Sequence, residues 1–278
     1  MNDFLKRAAV RHVKPRLSQA RWDRLRGHRG APSPDPSPAP DRPDLTEIAS
    51  RCGTDKWGVH FYTPHYDRHL AHLRDEELVL LEIGVGGYAR DGQGGASLRM
   101  WKRYFQQAQI VGLDLEDKSF VDRPRITTVQ ADQTDPDALH AVLERFGTPL
   151  VMIDDGSHRP ADIIATFQIL FPLLPDGGFY AIEDTQTSYW PEFGGHEDPS
   201  AAGTTMDFVK ALVDGLNHEE FLAPDYEATY TDRHVKAVHC YHNLVILEKG
   251  DNVEGTNKRK VLRDRYRKAE ESATESEA

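Results

Sequence analysis

The sequence predicts an α/β protein with a mostly parallel sheet that ends in a C-terminal antiparallel hairpin. Three observations carry this. Short, wholly apolar runs recur along the chain, as in strands buried on both faces. Stretches of helical periodicity separate them. The last two runs lie close enough to fold back on each other.

The elements follow in order. Residues 78–84 (LVLLEIG), 109–115 (QIVGLDL), 125–130 (RITTVQ), 150–154 (LVMID) and 178–182 (GFYAI) read as buried strands. Helical patterns cover 96–107, 135–146 and 159–174. Asp135 before Pro136 has the form of an N-cap followed by a first-turn proline. The Pro-Asp-Gly-Gly at 175–178 stops the third helix. Residues 234–241 and 243–249 form the predicted hairpin.

The folded body is expected at 44–250 of the 278 residues. Before it, residues 1–30 form a basic arm, with nine Lys/Arg against Asp3 and Asp23. Residues 31–43 hold six prolines, the composition of a semi-rigid linker. Residues 251–278 are charged and poor in apolar side chains, so disorder is expected. The net charge is −11; the arm carries +7, which leaves −18 on the rest. An acidic body argues against nucleic acid as the main ligand. No apolar stretch is long enough for a transmembrane segment, and the N-terminus lacks a secretory h-region. Cys52 and Cys240 are too few for a disulfide framework. A cytoplasmic protein is expected. The partner of the arm is unknown.

In an open parallel sheet, ligands bind at the carboxyl ends of the strands. After the first strand comes Glu82-Ile83-Gly84-Val85-Gly86-Gly87, whose glycines let backbone approach a ligand. After the second comes Asp114, placed to bind ribose hydroxyls or to be a surface carboxylate. After the third come Asp132 and Gln133, able to meet an adenine edge or to cap the next helix. There is no G-x-x-x-x-G-K-[ST], so P-loop phosphoryl chemistry is not expected. The E-x-G-x-G-G pattern with an acid at the second strand end suits a nucleoside carrying an amino acid, S-adenosylmethionine (SAM), better than a dinucleotide.

The fourth strand ends in Asp154-Asp155-Gly156-Ser157-His158 and the fifth in Glu183-Asp184. Adjacent strand ends lie roughly 5 Å apart, so up to four carboxylates converge. Unpaired, they would repel. A hard divalent cation, Mg²⁺, resolves that. His158 is then a candidate general base. A loop-holding Asp154 and a structural His158 are the plainer reading of the same residues.

The blocks LLEIGVGGY (80–88), SLRMWKRYF (97–105), GLDLEDKS (112–119), ADQTD (131–135), IDDGSH (153–158) and IEDTQTSYWPEFGG (182–195) resemble the Mg²⁺- and SAM-dependent sugar O-methyltransferases of antibiotic biosynthesis. GTDKWGVHFYTPHY (53–66) is also similar to that family. The resemblance implies a class I SAM-methyltransferase fold, a Rossmann-like sheet. It implies Mg²⁺ on Asp155, Glu183 and Asp184, with His158 as general base and Asp155 sharing in catalysis. It implies Glu82, Gly84 and Gly86 at the methionine end of SAM, Asp114 on the ribose, Asp132 and Gln133 near the adenine, and Thr54 and Lys56 closing over the cofactor. Asp154 is grouped with these cofactor-binding residues. Tyr189, Trp190 and Phe193 would belong to a substrate-facing loop. The expected reaction is methyl transfer to a sugar hydroxyl of a glycosylated natural product or saccharide, with Mg²⁺ chelating a diol. A homo-oligomer is left open. A metal-dependent hydrolase using the same carboxylates, a Rossmann oxidoreductase and a non-catalytic SAM-binding protein are the rival readings.

Overall fold

A computed structural model describes residues 42–88, 92–223 and 225–256. The basic arm, nearly all of the proline-rich linker and most of the charged tail lie outside the described residues.

Two short helices open the body, α1 (Leu45–Cys52) and α2 (Thr63–Leu70). The sequence reading did not separate them. α1 is bounded by local signals at both ends. The Asp44 side chain accepts from the Glu47 amide, and Gly53, in the left-handed region, closes α1. Then follow β1 (Val79–Ile83), α3 (Ala96–Tyr104), β2 (Gln109–Asp114), β3 (Ile126–Gln130), α4 (Pro136–Phe146), β4 (Val151–Asp154), α5 (Pro160–Leu170) and β5 (Phe179–Glu183). Next come α6 (Thr205–Gly215), α7 (Tyr230–His234), β6 (Val235–Tyr241) and β7 (Leu244–Lys249).

All five expected strands are present within a residue or two. Asp135 caps α4 through the amides of Asp137 and Ala138. The helix expected over 159–174 stops at Leu170 and tightens into a 3₁₀ turn at Phe171–Leu173. Pro172 has no amide to continue the α-helical ladder. The helix expected over 96–107 ends at Tyr104.

The seven strands are ordered β3-β2-β1-β4-β5-β7-β6. β1 to β5 are parallel, β7 runs antiparallel to β5, and β6 pairs antiparallel with β7. Apolar residues fill both faces. One layer includes Tyr66, Leu70, Trp101 and Tyr104 against Leu80, Ile110 and Ile246. The other includes Leu139, Ile163, Phe167 and Val209 against Leu81, Val111 and Met152. The order reverses direction between β1 and β4, which opens a crevice at their carboxyl ends. Among the described residues, no helix is long and apolar enough to cross a membrane.

Candidate active site

Parallel register brings the strand ends level. Ile83 pairs with Asp154, and Asp154 with Ile182. The turns that follow therefore meet. Gly84 has φ +90°, and its Cα packs against the main-chain carbonyl of Asp155, with no room for a Cβ. Only glycine meets both demands.

Behind this contact lies a buried charge cluster. The Lys56 ammonium donates to Glu183 Oε2 at 2.7 Å and to Asp155 Oδ2 at 2.8 Å, and stands 3.1 Å from Glu82 Oε1. Lys56 and Glu82 are both almost completely buried, although Glu82 lies within β1. The Tyr66 hydroxyl donates to Glu183 Oε1 at 2.6 Å. Three carboxylates thus share one lysine. They hold the lysine pKa well above its ordinary value in spite of burial, which pulls it down. Burial pushes the Glu183 and Asp155 pKa values up; Asp155 adds to the shift on Glu183, and Lys56 opposes both. Burial also raises Glu82. Apart from its ion pair with Lys56, neither Glu82 oxygen has a hydrogen-bond partner of normal geometry among the described residues.

Asp184 faces the open side. His158 Nε2 lies 3.7 Å from its Oδ2, and His60 Nε2 lies 3.6 Å from its Oδ1. The Tyr62 hydroxyl donates to Oδ1 at 2.7 Å. Burial works against the Asp184 charge, but the Tyr62 hydrogen bond and the flanking histidines hold its pKa below the usual range. His158 and Asp184 both have positive φ, +56° and +52°. Non-glycine residues hold that conformation only when their surroundings enforce it, and such residues cluster at functional sites.

Metal-ligating atoms gather in two groups that share one member. Asp155, His158 and Asp184 place one such atom each within 4.8 Å of one another, and so do Glu82, Asp155 and Glu183. The structure therefore joins Asp155 to both Asp184 and Glu183, while Glu183 turns its two oxygens to Lys56 and Tyr66.

The other expected residues fall as follows. Asp114 is buried; its Oδ2 accepts from the Val85 amide and the Tyr88 hydroxyl, both at 2.8 Å. It ties the glycine turn to the end of β2. Gly86 has φ +72° with open space where a Cβ would project. Gln133 is nearly buried and its side chain is committed: it donates to Asp154 and Thr166 and accepts from the Ser157 amide at 2.8 Å. Asp154 is buried against Gln133, and burial pushes its pKa up to about 7. Asp132 lies in the loop after β3, accepting from the Thr134 amide and hydroxyl. Thr54 is buried beside Lys56 on the same loop. Tyr189 and Trp190 are exposed, and the Phe193 ring lies 6.4 Å from that of His158. Tyr62, Tyr66 and His60 were not singled out from sequence. Tyr62 and Tyr66 stand four residues apart at the start of α2, the spacing that puts two side chains on one helix face.

An open parallel sheet with a glycine turn after β1, an acid after β2 and acidic residues after β4 and β5 has the fold of a SAM-dependent methyltransferase. No family model matches the chain. Demethylmacrocin O-methyltransferase of Streptomyces fradiae is 49% identical over 217 residues, 77% of this chain and 55% of that protein. Mycinamicin VI 2''-O-methyltransferase of Micromonospora griseorubida is 47% identical over 217 residues, 77% of this chain and 54% of that protein. The solved structure of MycE methyltransferase from the mycinamycin biosynthetic pathway, in complex with Mg, SAH and mycinamycin VI, superposes with a TM-score of 0.74 at 46% identity. It matches 77% of this chain and 55% of that one. Over the matched residues the chain is thus a homologue of the sugar O-methyltransferases of antibiotic pathways. It spans about half the length of the curated relatives it matches.

Proposed function

We propose that this chain transfers a methyl group from SAM to a hydroxyl of a sugar on a glycosylated small molecule, in a reaction that depends on Mg²⁺. The observation that carries the reading is the place of His158 Nε2, 3.7 Å from Asp184 Oδ2 and grouped with Asp155 at the sheet's crevice. The relatives' names support it: one acts on mycinamicin VI, another on a rhamnosyl tetracenomycin.

Asp155, Glu183 and Asp184 are the residues proposed to hold Mg²⁺. The donor set fits. Glu82, Asp155 and Glu183 share Lys56, three carboxylates to one ammonium, and Asp184 lies on the open side beside Tyr62, His60 and His158. All-oxygen donors suit a hard cation. Mg²⁺, when bound, would supply Lewis acidity that lowers the pKa of the sugar hydroxyls it chelates. SAM, when bound between the glycine turn and Asp114, would supply the electrophilic methyl carbon.

The chain's own residues do the rest. His158 Nε2 points toward the carboxylates, so it takes the proton of the attacking hydroxyl. Asp184 stabilises the resulting imidazolium, and Tyr62 fixes Asp184. Lys56 and Tyr66 hold Glu183, and Lys56 also holds Asp155. The contact of Gly84 with Asp155 couples the methyl-donor turn to the acceptor side, which is the positioning that a two-substrate transfer needs. Trp190 and Phe193 offer an aromatic face to the acceptor.

The test is transfer of a labelled methyl group from SAM to mycinamicin VI and to rhamnosyl glycosides, with and without Mg²⁺. Label on a sugar oxygen, abolished by chelator and restored by Mg²⁺, is the expected result. Release of label to water, or hydrolysis of the acceptor, would favour the hydrolase reading instead.

A further inference from the structure

We propose that His69, His239 and Glu248 form a second metal site, for a Zn²⁺-class transition ion, on the face of the sheet opposite α4 and α5. It shares no residue with the site above, and the reading does not depend on methyl transfer.

Three elements build it. His69 stands in the last turn of α2. His239 lies on the edge strand β6 and Glu248 on β7. Ala237 pairs with Glu248 and His239 with Ile246, so His239 and Glu248 are diagonal neighbours on one face. One ligating atom from each of the three lies within 4.8 Å of the others. His239 Nε2 is 3.1 Å from Glu248 Oε1, and His69 Nδ1 is 3.9 Å from the same oxygen. Donors about 2.0–2.1 Å from a tetrahedral Zn²⁺ stand roughly 3.3 Å apart, so the observed spacing brackets what an ion needs.

The surroundings match a metal site in a second way. His69 Nε2 meets the Tyr241 hydroxyl at 2.8 Å, which leaves Nδ1 to face Glu248. A ligating imidazole is held in this manner, through its other nitrogen. His65, one turn earlier on α2, stacks on the Tyr241 ring at 3.7 Å and walls that partner in. The His69 side chain is nearly buried, at 10% exposure, which holds the ring in place. His239 and Glu248 are about one-third exposed, at 31% and 30%, which leaves an entry path and room for a water as fourth ligand. Two imidazoles and one carboxylate select a borderline ion over Mg²⁺.

The consequence is mechanical. α2 carries Tyr66 to Glu183, and Tyr62 at its start reaches Asp184. An ion on His69 would pin this helix to the β6–β7 hairpin and hold both tyrosines in place.

The experiment is a Co²⁺ titration of the full chain in excess Mg²⁺, read by visible absorption, with Zn²⁺ displacement and thermal melting alongside. One Co²⁺ per chain in a low-coordinate spectrum, displaced by Zn²⁺, is expected. His239→Gln and Glu248→Gln should each weaken it more than tenfold, while Asp184→Asn keeps it; Tyr241→Phe should weaken it by about tenfold through loss of the outer hydrogen bond. Melting curves establish that each variant folds. No Co²⁺ absorption in the wild-type chain, or binding that survives both Gln variants, would overturn the proposal. So would loss of binding in Asp184→Asn, which would place the ion among the active-site carboxylates.

Discussion

Gly84 rests its Cα on the main-chain carbonyl of Asp155, and φ at Gly84 is +90°. The turn proposed to bind the methyl donor and the loop proposed to bind the metal are thus one packed unit. Gly84→Ala introduces a Cβ that overlaps that oxygen. The expected cost is about 1–3 kcal/mol of stability, with a loss of SAM affinity of tenfold or more. Gly86→Ala meets open space and should lose only about 1 kcal/mol to its positive φ. Chemical denaturation and SAM calorimetry on the two variants check the contrast.

Glu82, Asp155 and Glu183 share the ammonium of Lys56. Lys56→Met leaves these buried carboxylates unpaired, and stability should fall by about 3–5 kcal/mol. Adding Glu82→Gln to that variant removes one of the unpaired charges and should recover part of the loss. A double-mutant cycle by urea unfolding measures the coupling; strict additivity would contradict the shared-cation arrangement.

His158→Ala should retain SAM binding and lose about 10²- to 10⁴-fold in turnover. Asp155→Ala should lose Mg²⁺ dependence together with turnover. A His158→Ala protein with unchanged kcat would remove the general-base role.

Asp232 closes the start of α7. It accepts from the Tyr226 hydroxyl and the Thr229 amide, both at 2.6 Å. Burial opposes its charge, but these hydrogen bonds win and hold its pKa below the usual value. A lowered acid pKa contributes stability that is fully present above the unfolded value, about 3.9, and is lost as pH falls through the folded one. Asp232→Asn should therefore destabilise the protein by about 1 kcal/mol at neutral pH and progressively less below about pH 4. Urea midpoints from pH 7 to pH 3 test the convergence.

Much of the architecture was legible because buried parallel strands are wholly apolar, and the hairpin because its two runs adjoin. α1, α2 and α6 were not predicted: α1 and α2 are two turns each, and α6 was missed although Thr205, Val209 and Leu212 recur at helical spacing on its buried face. At the site, residue types at strand ends pointed to Asp155, His158, Glu183 and Asp184. What they touch was not legible. Lys56 reaches Glu183 from 127 positions away, and Tyr66 from 117. No local pattern encodes such meetings. Gln133 shows the same limit: its position suggested an adenine edge or a helix cap, and nothing local announced that its side chain meets Asp154, Thr166 and the Ser157 amide.

The central claim is that the crevice between β1 and β4 binds SAM beside a Mg²⁺ site. Calorimetric titration of SAM into the full chain, with and without Mg²⁺ and with NAD as control, tests it most directly. The account predicts SAM binding in the micromolar range and no binding of NAD. Absence of SAM binding under both conditions would contradict it.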